Sequence, residues 1–426
     1  MRVRPKAFSE TERITCITGG IYPDRAAKQQ TPVMQVILSR FLNPRKIRIF
    51  ANSMQYSVRE IRSRRDLRRF IAFPDRLYKA CPQYVPALHG DQMHALTKAA
   101  PLQYCTRKLW LCEDGKGRIA GRICAIVNPR YNELYGKKRA RFGWFDTIED
   151  LEVARLLLGT AEAWAKEMGM DEIHGPLYYN TLGKQGMLVE GFENTPVFNT
   201  LYNYKYYNDF VTELGYGKEC DWVESKVAAD QGVPEQLARL AAVLMERHEL
   251  HEAKISVLKK DPAWVRHFFE VYNEAFAAGV QNFIPFTEAE IAEEAASVMR
   301  FLSDDLSTVL LDGQDRVAGF GIAFPDISKA LQKARGHLFP FGWYHLAKAL
   351  KDCSTIDLMV NGAAAQWRGT GISAVFHVLM SEKAARAGAK VALTNPQIES
   401  NSASFVWDKY ASAEPYMRRR CYLKKI

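Results

Sequence analysis

The segment Gln366-Trp367-Arg368-Gly369-Thr370-Gly371-Ile372-Ser373 constrains this chain more than any other, because of what flanks it. An apolar, strand-like stretch runs before it from Ile356 to Val360, and apolar residues recur at helical spacing after it from Ile372 to Ala387. A strand that enters a helix through two glycines turns tightly enough for its backbone to approach an anion. The helix start adds free N–H groups and the positive end of its dipole. Arg368 contributes a fixed positive charge beside them. The eight residues from Gln366 to Ser373 therefore read as a pyrophosphate cradle.

Two common users of such a cradle do not fit. A nucleoside-triphosphate loop requires Lys-Ser/Thr after its last glycine, and here Ile372-Ser373 succeeds Gly371. Gly369-x-Gly371-x-x-Ala374 satisfies a loose dinucleotide fingerprint. The next strand, Lys390 to Thr394, nevertheless ends in Thr394-Asn395 and offers no acid for a ribose hydroxyl. Only about fifty residues remain beyond the loop, too few for a doubly wound sheet built on it.

After the loop and its helix come that strand, then a helix opened by Glu399-Ser400-Asn401 and closed near Lys409-Tyr410, then a last strand from Arg420 to Lys425. With the Gln-x-x-Gly-x-Gly loop, this order resembles the C-terminal half of the GCN5-related N-acetyltransferase (GNAT) superfamily. The resemblance implies that the loop holds the pyrophosphate of acyl-CoA and that the acyl group passes to an amine.

Composition sets outer limits. The 426 residues suffice for two or three domains, and 47% hydrophobic content is that of an ordinary globular protein. The eight cysteines form no Cys-x-x-Cys pair, which argues against a disulfide framework or zinc site and for a reducing, cytoplasmic setting. His248-Glu249-Leu250-His251 lacks zincin spacing and a third ligand, so no metal is expected. No run approaches the ~20 apolar residues of a membrane span. The net charge of +10 suits an anionic ligand or peripheral contact with an anionic inner membrane. The basic residues are dispersed without a nucleic-acid-binding signature, so nucleic acid is not an expected partner.

Residues 1–55 carry ten basic residues from Arg2 to Arg48 against Glu10, Glu12 and Asp24, and read as a disordered tail. Met34 to Leu42 suits a short helix on a membrane surface; equally, the chain's true start is Met54.

From Tyr56 the pattern becomes regular and then repeats. Strand Ser57–Ile61, helix Ser63–Ala80, hairpin Leu109–Cys112 with Ala120–Asn128, strand Ala140–Asp146, helix Asp150–Met168, strand Glu172–Leu177 and helix Tyr206–Leu214 make a first pass. Strand Ile255–Lys259, helices Pro262–Ala278 and Thr287–Leu302, and hairpin Ser307–Leu311 with Arg316–Phe324 open a second. An insertion, Ser328 to Cys353, precedes the cradle strand. The expected fold class is a mixed-sheet α/β fold of two tandem GNAT-like domains, residues 56–226 and 254–426, joined by a connector over 227–253. The first copy carries Thr147-Ile148-Glu149-Asp150-Leu151 at the cradle position, without glycine and with two carboxylates that would repel an anion, and is degenerate. Its concentration of tyrosines, Tyr178, Tyr179, Tyr202, Tyr204, Tyr206 and Tyr207, is either core or the wall of a cleft for a long apolar substrate.

Residues 57–426 are similar to a group of bacterial tandem-GNAT proteins, through Tyr131-Asn132-Glu133, Arg139-Ala140-Arg141-Phe142-Gly143, Gly186 to Phe192, Tyr202-Asn203-Tyr204, Pro325-Asp326 and the closing Tyr422 to Ile426. Some members resemble bacterial ceramide synthases, which implies a sphingoid base or other lipid amine as acceptor and a long-chain acyl donor. The superfamily implies backbone N–H groups near Val360 and Asn361 as oxyanion donors. Asp326 and Asp357 are the carboxylates placed to accept the ammonium proton. Trp407 stands where many members carry an acid tyrosine, with Tyr410 a substitute one turn on. Asn401 is either a pantetheine ligand or a helix cap. Lys409 and Arg418 to Arg420 either meet the nucleotide's terminal phosphate or form a solvated face. The expectation is an acyl-CoA-dependent N-acyltransferase; a non-catalytic acyl-CoA or lipid-binding protein is the alternative.

Overall fold

A computed structural model describes residues 55–277, 280, 282–298, 302–400 and 413–426. The basic tail, Asn401, Trp407, Lys409 and Tyr410 lie outside these described residues. The first half runs β1 (Tyr56–Glu60), α1 (Arg64–Leu77), α2 (His89–Ala95), β2 (Thr106–Asp114), β3 (Ile119–Val127), α3 (Pro129–Tyr135) and β4 (Arg139–Thr147). It continues through α4 (Leu151–Glu167), β5 (Glu172–Gly175), β6 (Met187–Glu190), α5 (Tyr206–Glu213) and β7 (Gly217–Ala228). The second half opens with α6 (Glu235–Arg247), β8 (His251–Glu252), α7 (Ile255–Leu258), α8 (Pro262–Ala277), α9 (Glu288–Val298), β9 (Thr308–Leu311) and β10 (Val317–Pro325). It ends with α10 (Ser328–Ala334), α11 (Gly342–Ala349), β11 (Thr355–Ala363), α12 (Ile372–Arg386), β12 (Val391–Thr394), β13 (Gln397–Ile398) and β14 (Ala413–Lys425).

One sheet runs through both halves in the order β1-β2-β3-β4-β5-β14-β7-β12-β11-β10-β9-β8. Each half is antiparallel except where a helix crosses over: β4 runs parallel to β5, and β11 parallel to β12. Only a crossover of a dozen or more residues permits that parallel pairing, and α4 and α12 supply it. The last strand, β14, lies between β5 and β7, while β7 of the first half pairs with β12 of the second. Each half thus completes the other's sheet.

β14 extends well beyond the Arg420 to Lys425 expected from alternation, because its charges are matched across the sheet. Arg418 bonds Glu190 at 3.3 Å, Arg420 bonds both oxygens of Asp221 at 2.8 and 2.9 Å, and Arg419 pairs with Glu224. Arg419 and Glu224 are wholly buried. These arginines hold strands together, so Arg418 to Arg420 are neither a simple solvated face nor free for a nucleotide phosphate.

Ile255 to Lys259, expected as a strand, is instead the short helix α7. The Asp304 carboxylate accepts the Ile255 N–H at 2.6 Å and the Ser256 N–H at 3.3 Å, which caps a helical turn and gives these donors partners away from any sheet. The tyrosines read as either core or cleft wall pack into the first half. Tyr178 stacks on Trp144 with ring centroids 3.5 Å apart. Tyr206 donates to Thr147 O at 2.7 Å, Tyr202 to Phe192 O at 3.0 Å, and Tyr207 accepts from Thr147 N at 2.9 Å. These rings form core, with the hydroxyls of Tyr202, Tyr206 and Tyr207 bonded internally and the buried Tyr179 hydroxyl without a partner among the described residues.

Candidate functional site

The cradle takes the shape its glycines permit. β11 ends at Ala363, a single 3-10 turn covers Ala365–Trp367, and Gly369 and Gly371 adopt φ of 74° and 90°. These left-handed values are the ones L side chains resist. A Cβ at Gly369 would meet only open space, and one at Gly371 would approach Leu244 Cδ1 at 3.2 Å. Gly371 is the N-cap of α12, and no side chain bonds its first turn. Ala374 N donates back to Gly371 O at 2.8 Å, while the N–H groups of Ile372 and Ser373 and the positive dipole end are left for a ligand.

Around them, Thr370 Oγ1 donates to Trp367 O at 2.7 Å, and the Trp367 ring stands edge-on to His248 at 5.3 Å. The exposed Arg368 guanidinium donates to the Glu274 carbonyl, Gln366 and Ser373 are exposed, and Ile372 is buried beneath. His248 is thereby engaged with the cradle, and His251 with Asp315 at 3.1 Å, so the two do not share a ligand position.

The matching turn of the first half is closed by its own charge. Asp150 caps α4 by accepting from Glu152 N at 3.0 Å, and Tyr56 donates to its other oxygen at 3.0 Å. A carboxylate already occupies this helix start.

Beside the cradle the sheet divides. β11 and β12 pair in parallel only from Thr355 opposite Val391 to Leu358 opposite Thr394. β11 continues to Ala363, while the chain after Thr394 swings across to pair Gln397 and Ile398 with β7. A register shift opposite Ile322/Ala323 leaves Met359 as a bulge next to the point of divergence. A cavity of about 310 Å³ fills the wedge, lined on the cradle side by Ser373, Phe376, His377 and Met380 and along β11 by Leu358 to Ala363. Val360 and Asn361 are thus on its wall. On the far side Tyr272, Phe276 and Val280 meet Thr181, Leu182, Gln185, Asn199 and Trp222 from the first half. The wall mixes apolar side chains with polar ones in about equal measure. Asn199 Oδ1 and Asn395 Oδ1 are buried acceptors there without a partner among the described residues.

The two carboxylates do not converge on this space. Asp326 accepts from Ser328 N at 2.9 Å and opens α10, away from the cavity lining. Asp357 is wholly buried and reaches the cavity only through Asn395, whose Nδ2 donates to Asp357 Oδ1 at 2.5 Å. Burial, together with the nearby Asp326 and Glu224 carboxylates, holds the Asp357 pKa well above the usual carboxylate range. Of the first-half wall residues, Thr181, Leu182, Gln185 and Asn199 escaped sequence reasoning because they lie outside the helices and strands, without periodicity or motif, whereas Trp222 lies on β7. The tyrosine cluster next to them was the more visible signal.

Among the described residues one trio of side chains has metal-ligand character: His174, Glu219 and Cys421. It belongs to a buried ion-pair network, since Glu219 bonds Arg139 at 2.5 Å and His174 Nδ1 at 2.9 Å. Burial pushes His174 down to about 4, outweighing its Glu219 bond, and burial does the same to His377 of the cavity wall. Both folded values lie below the 6.5 of an exposed imidazole, so between pH 6.5 and 4 the unfolded chain binds the extra protons. Stability is therefore expected to fall as pH drops through that window. Melting temperature followed from pH 7 to 4.5 checks this, and the slope should shrink in His174→Gln and His377→Gln; an unchanged slope in both would refute it.

The mixed sheet, its two crossover helices and the cradle define a class. The chain superimposes on a solved tandem GNAT protein from the clavulanic acid biosynthesis pathway with a TM-score of 0.52, covering 87% of this chain and 98% of that one at 11% identity. Its fold is that of tandem GCN5-related N-acetyltransferases. In sequence it is 28% identical to Protein YghO of Escherichia coli K12 over 388 residues, 88% of this chain and 96% of that protein. It is also 29% identical over 302 residues to a bacterial ceramide synthase of Caulobacter vibrioides, 69% of this chain and 76% of that enzyme. No family model matches the chain. Among the described residues no helix is long and apolar enough to cross a membrane.

Proposed function

We propose that this chain is an acyl-CoA-dependent N-acyltransferase whose acceptor is a lipid amine such as a sphingoid base. One observation carries the reading: the cavity lies where the sheet divides, beside Ile372 and Ser373 at the start of α12, with Tyr272, Phe276, Val280 and Met359 as its apolar side and Thr181, Gln185 and Asn199 of the first half as polar groups facing them. In this reading residues 254–426 hold the donor. Residues 56–226, whose cradle position is closed by Asp150, serve as the degenerate scaffold, with 227–253 as connector.

The residues around the cavity fit a CoA thioester. Gln366, Trp367, Arg368, Gly369, Thr370, Gly371, Ile372 and Ser373 receive the pyrophosphate, and the unpaired edge of β11 beyond Leu358 offers backbone groups to the pantetheine. The donor supplies an activated acyl carbonyl. Val360 and Asn361 N–H groups stabilise its developing oxyanion, and the acyl and amine carbons lie against Phe276, Val280 and Met359. Asn199 and Asn395 carbonyl oxygens orient the amine as acceptors. Asp357 in its ionised form takes up the released proton through water in this scheme, with the Asn395 amide holding the carboxylate in place and Asp326 engaged at α10. Asn401 and Tyr410 remain proposals, as pantetheine ligand and thiolate acid.

The relationship to a bacterial ceramide synthase supports the choice of acceptor. Thiol release with acyl-CoAs from acetyl to palmitoyl, offered a sphingoid base and simple amines, tests the reading. Turnover with a long-chain donor and the lipid amine is expected. CoA binding without turnover on any amine would favour a non-catalytic acyl-CoA or lipid-binding protein, and failure to bind CoA would refute the cradle assignment.

A further inference from the structure

We infer that the α10–α11 hairpin is a docking surface for an anionic lipid bilayer. Twelve large hydrophobic side chains are exposed in the described chain, and six of them, Leu338, Phe339, Phe341, Trp343, Tyr344 and Leu350, fall on this one element. Phe339 and Phe341 are 79% and 70% exposed at its tip. The remaining six are scattered over other elements, as is ordinary for a protein surface. An apolar concentration of this kind marks an interaction site.

The tip is presented by a fixed base. Ala330, Leu331 and Ala334 are buried, and a Cβ at Gly342 would strike His337 O at 2.0 Å and meet Ala334 Cβ at 3.0 Å, so the start of α11 packs against the connecting turn and the end of α10 with no room for a side chain. Gln332 Nε2 donates to Pro82 O at 2.8 Å, and His89 N donates to Gly336 O at 2.8 Å, which ties the hairpin to the first half. The exposed rings are therefore not a frayed end of the core.

Charge selects the partner. Lys329, Lys333, Arg335, Lys348 and Lys351 are exposed on the same element, and the sequence contains no carboxylate between Asp326 and Asp352. None of the five forms a salt bridge with a described residue. A second copy of this hairpin would bring like charges together. A protein groove would need its own acidic lining, whereas an anionic bilayer supplies both an apolar layer for the phenylalanines and headgroup charge for the lysines. Trp343 and Tyr344 are the amphipathic rings that favour the boundary between the two.

The inference is independent of acyl transfer, since binding is read without any acyl donor. The full chain is sedimented with phosphatidylcholine vesicles, with and without about 30 mol% phosphatidylglycerol. Binding is expected only with the anionic lipid. Phe339→Ser combined with Phe341→Ser should weaken it about tenfold or more, and Lys333→Glu combined with Lys348→Glu should do likewise. Both pairs are exposed, so an unchanged melting temperature is the check on folding. Brominated lipid should quench tryptophan fluorescence in the parent chain and less in Trp343→Phe. Binding that survives both double variants would assign it to another part of the chain, such as the basic residues before Met54, and would overturn the inference. Absence of anionic-lipid binding would also overturn it, as would light scattering that shows a dimer dissociated by the phenylalanine variant without vesicle binding.

Discussion

Replacing Gly369 and Gly371 together by glutamate is expected to lower affinity for acyl-CoA at least about 100-fold while leaving the chain folded. Two effects combine. Carboxylates at the start of α12 neutralise the dipole end that the ligand would use, as Asp150 does for α4. They also stand near the bound pyrophosphate, where one pair of like charges at ~4 Å costs about 4 kcal/mol at an effective dielectric of 20. A loss of ~2.7 kcal/mol already corresponds to 100-fold, so the estimate is conservative. Both positions have positive φ, and each substitution adds about 1–2 kcal/mol of backbone strain. Gly388→Glu separates strain from charge: it has φ of 78° and open space around it, but lies past the opposite end of α12. Calorimetric titration with CoA should show binding unchanged in Gly388→Glu and absent in the double variant, with Gly388→Glu less stable by about 1–2 kcal/mol and the double variant by about twice that. Retained binding in the double variant would remove the loop from the donor site.

Arg419→Met is expected to destabilise the protein by about 3–5 kcal/mol, among the largest effects of any single substitution here. Arg419 is wholly buried and comes from the final strand. It pairs with Glu224 on β7, donates to Leu201 O, and donates to Thr200 Oγ1 at 2.9 Å. Its loss leaves Glu224 buried with only the Tyr416 hydroxyl at 3.4 Å, and in a region that already holds the Asp357 carboxyl. The double variant Arg419→Met, Glu224→Met removes both charges and should recover most of the loss, because apolar groups of similar volume often replace a buried pair at little net cost. Urea unfolding of the parent, single and double variants measures this directly. A single variant within about 1 kcal/mol of the parent would show that the pair does not hold β14 in place.

The large contribution expected of Arg419 also explains why β14 is the hardest strand to delimit from the sequence. Three consecutive arginines break an apolar alternation, and only Glu190, Glu224 and Asp221 on neighbouring strands make them strand residues. The same holds for α7, where Asp304, some fifty positions away, captures the N–H groups of a segment with strand-like composition. By contrast, the limits of α12 and the glycine turn before it are legible, because a positive φ and a helix start are local demands met by local residues.

The candidate site divides in the same way. The cradle, the closed turn of the first half at Asp150, and the mixed α/β character come from the order of residues along the chain, since steric freedom at glycine, carboxylate charge and hydrophobic period act within one turn or strand. The cavity wall supplied by Thr181, Gln185, Asn199 and Trp222, the separation of Asp326 from Asp357, and the completion of each half-sheet by a strand of the other are decided only in the folded molecule. They depend on which strands share backbone hydrogen bonds and which buried charges find partners, and those are long-range matches that no stretch of this sequence contains by itself.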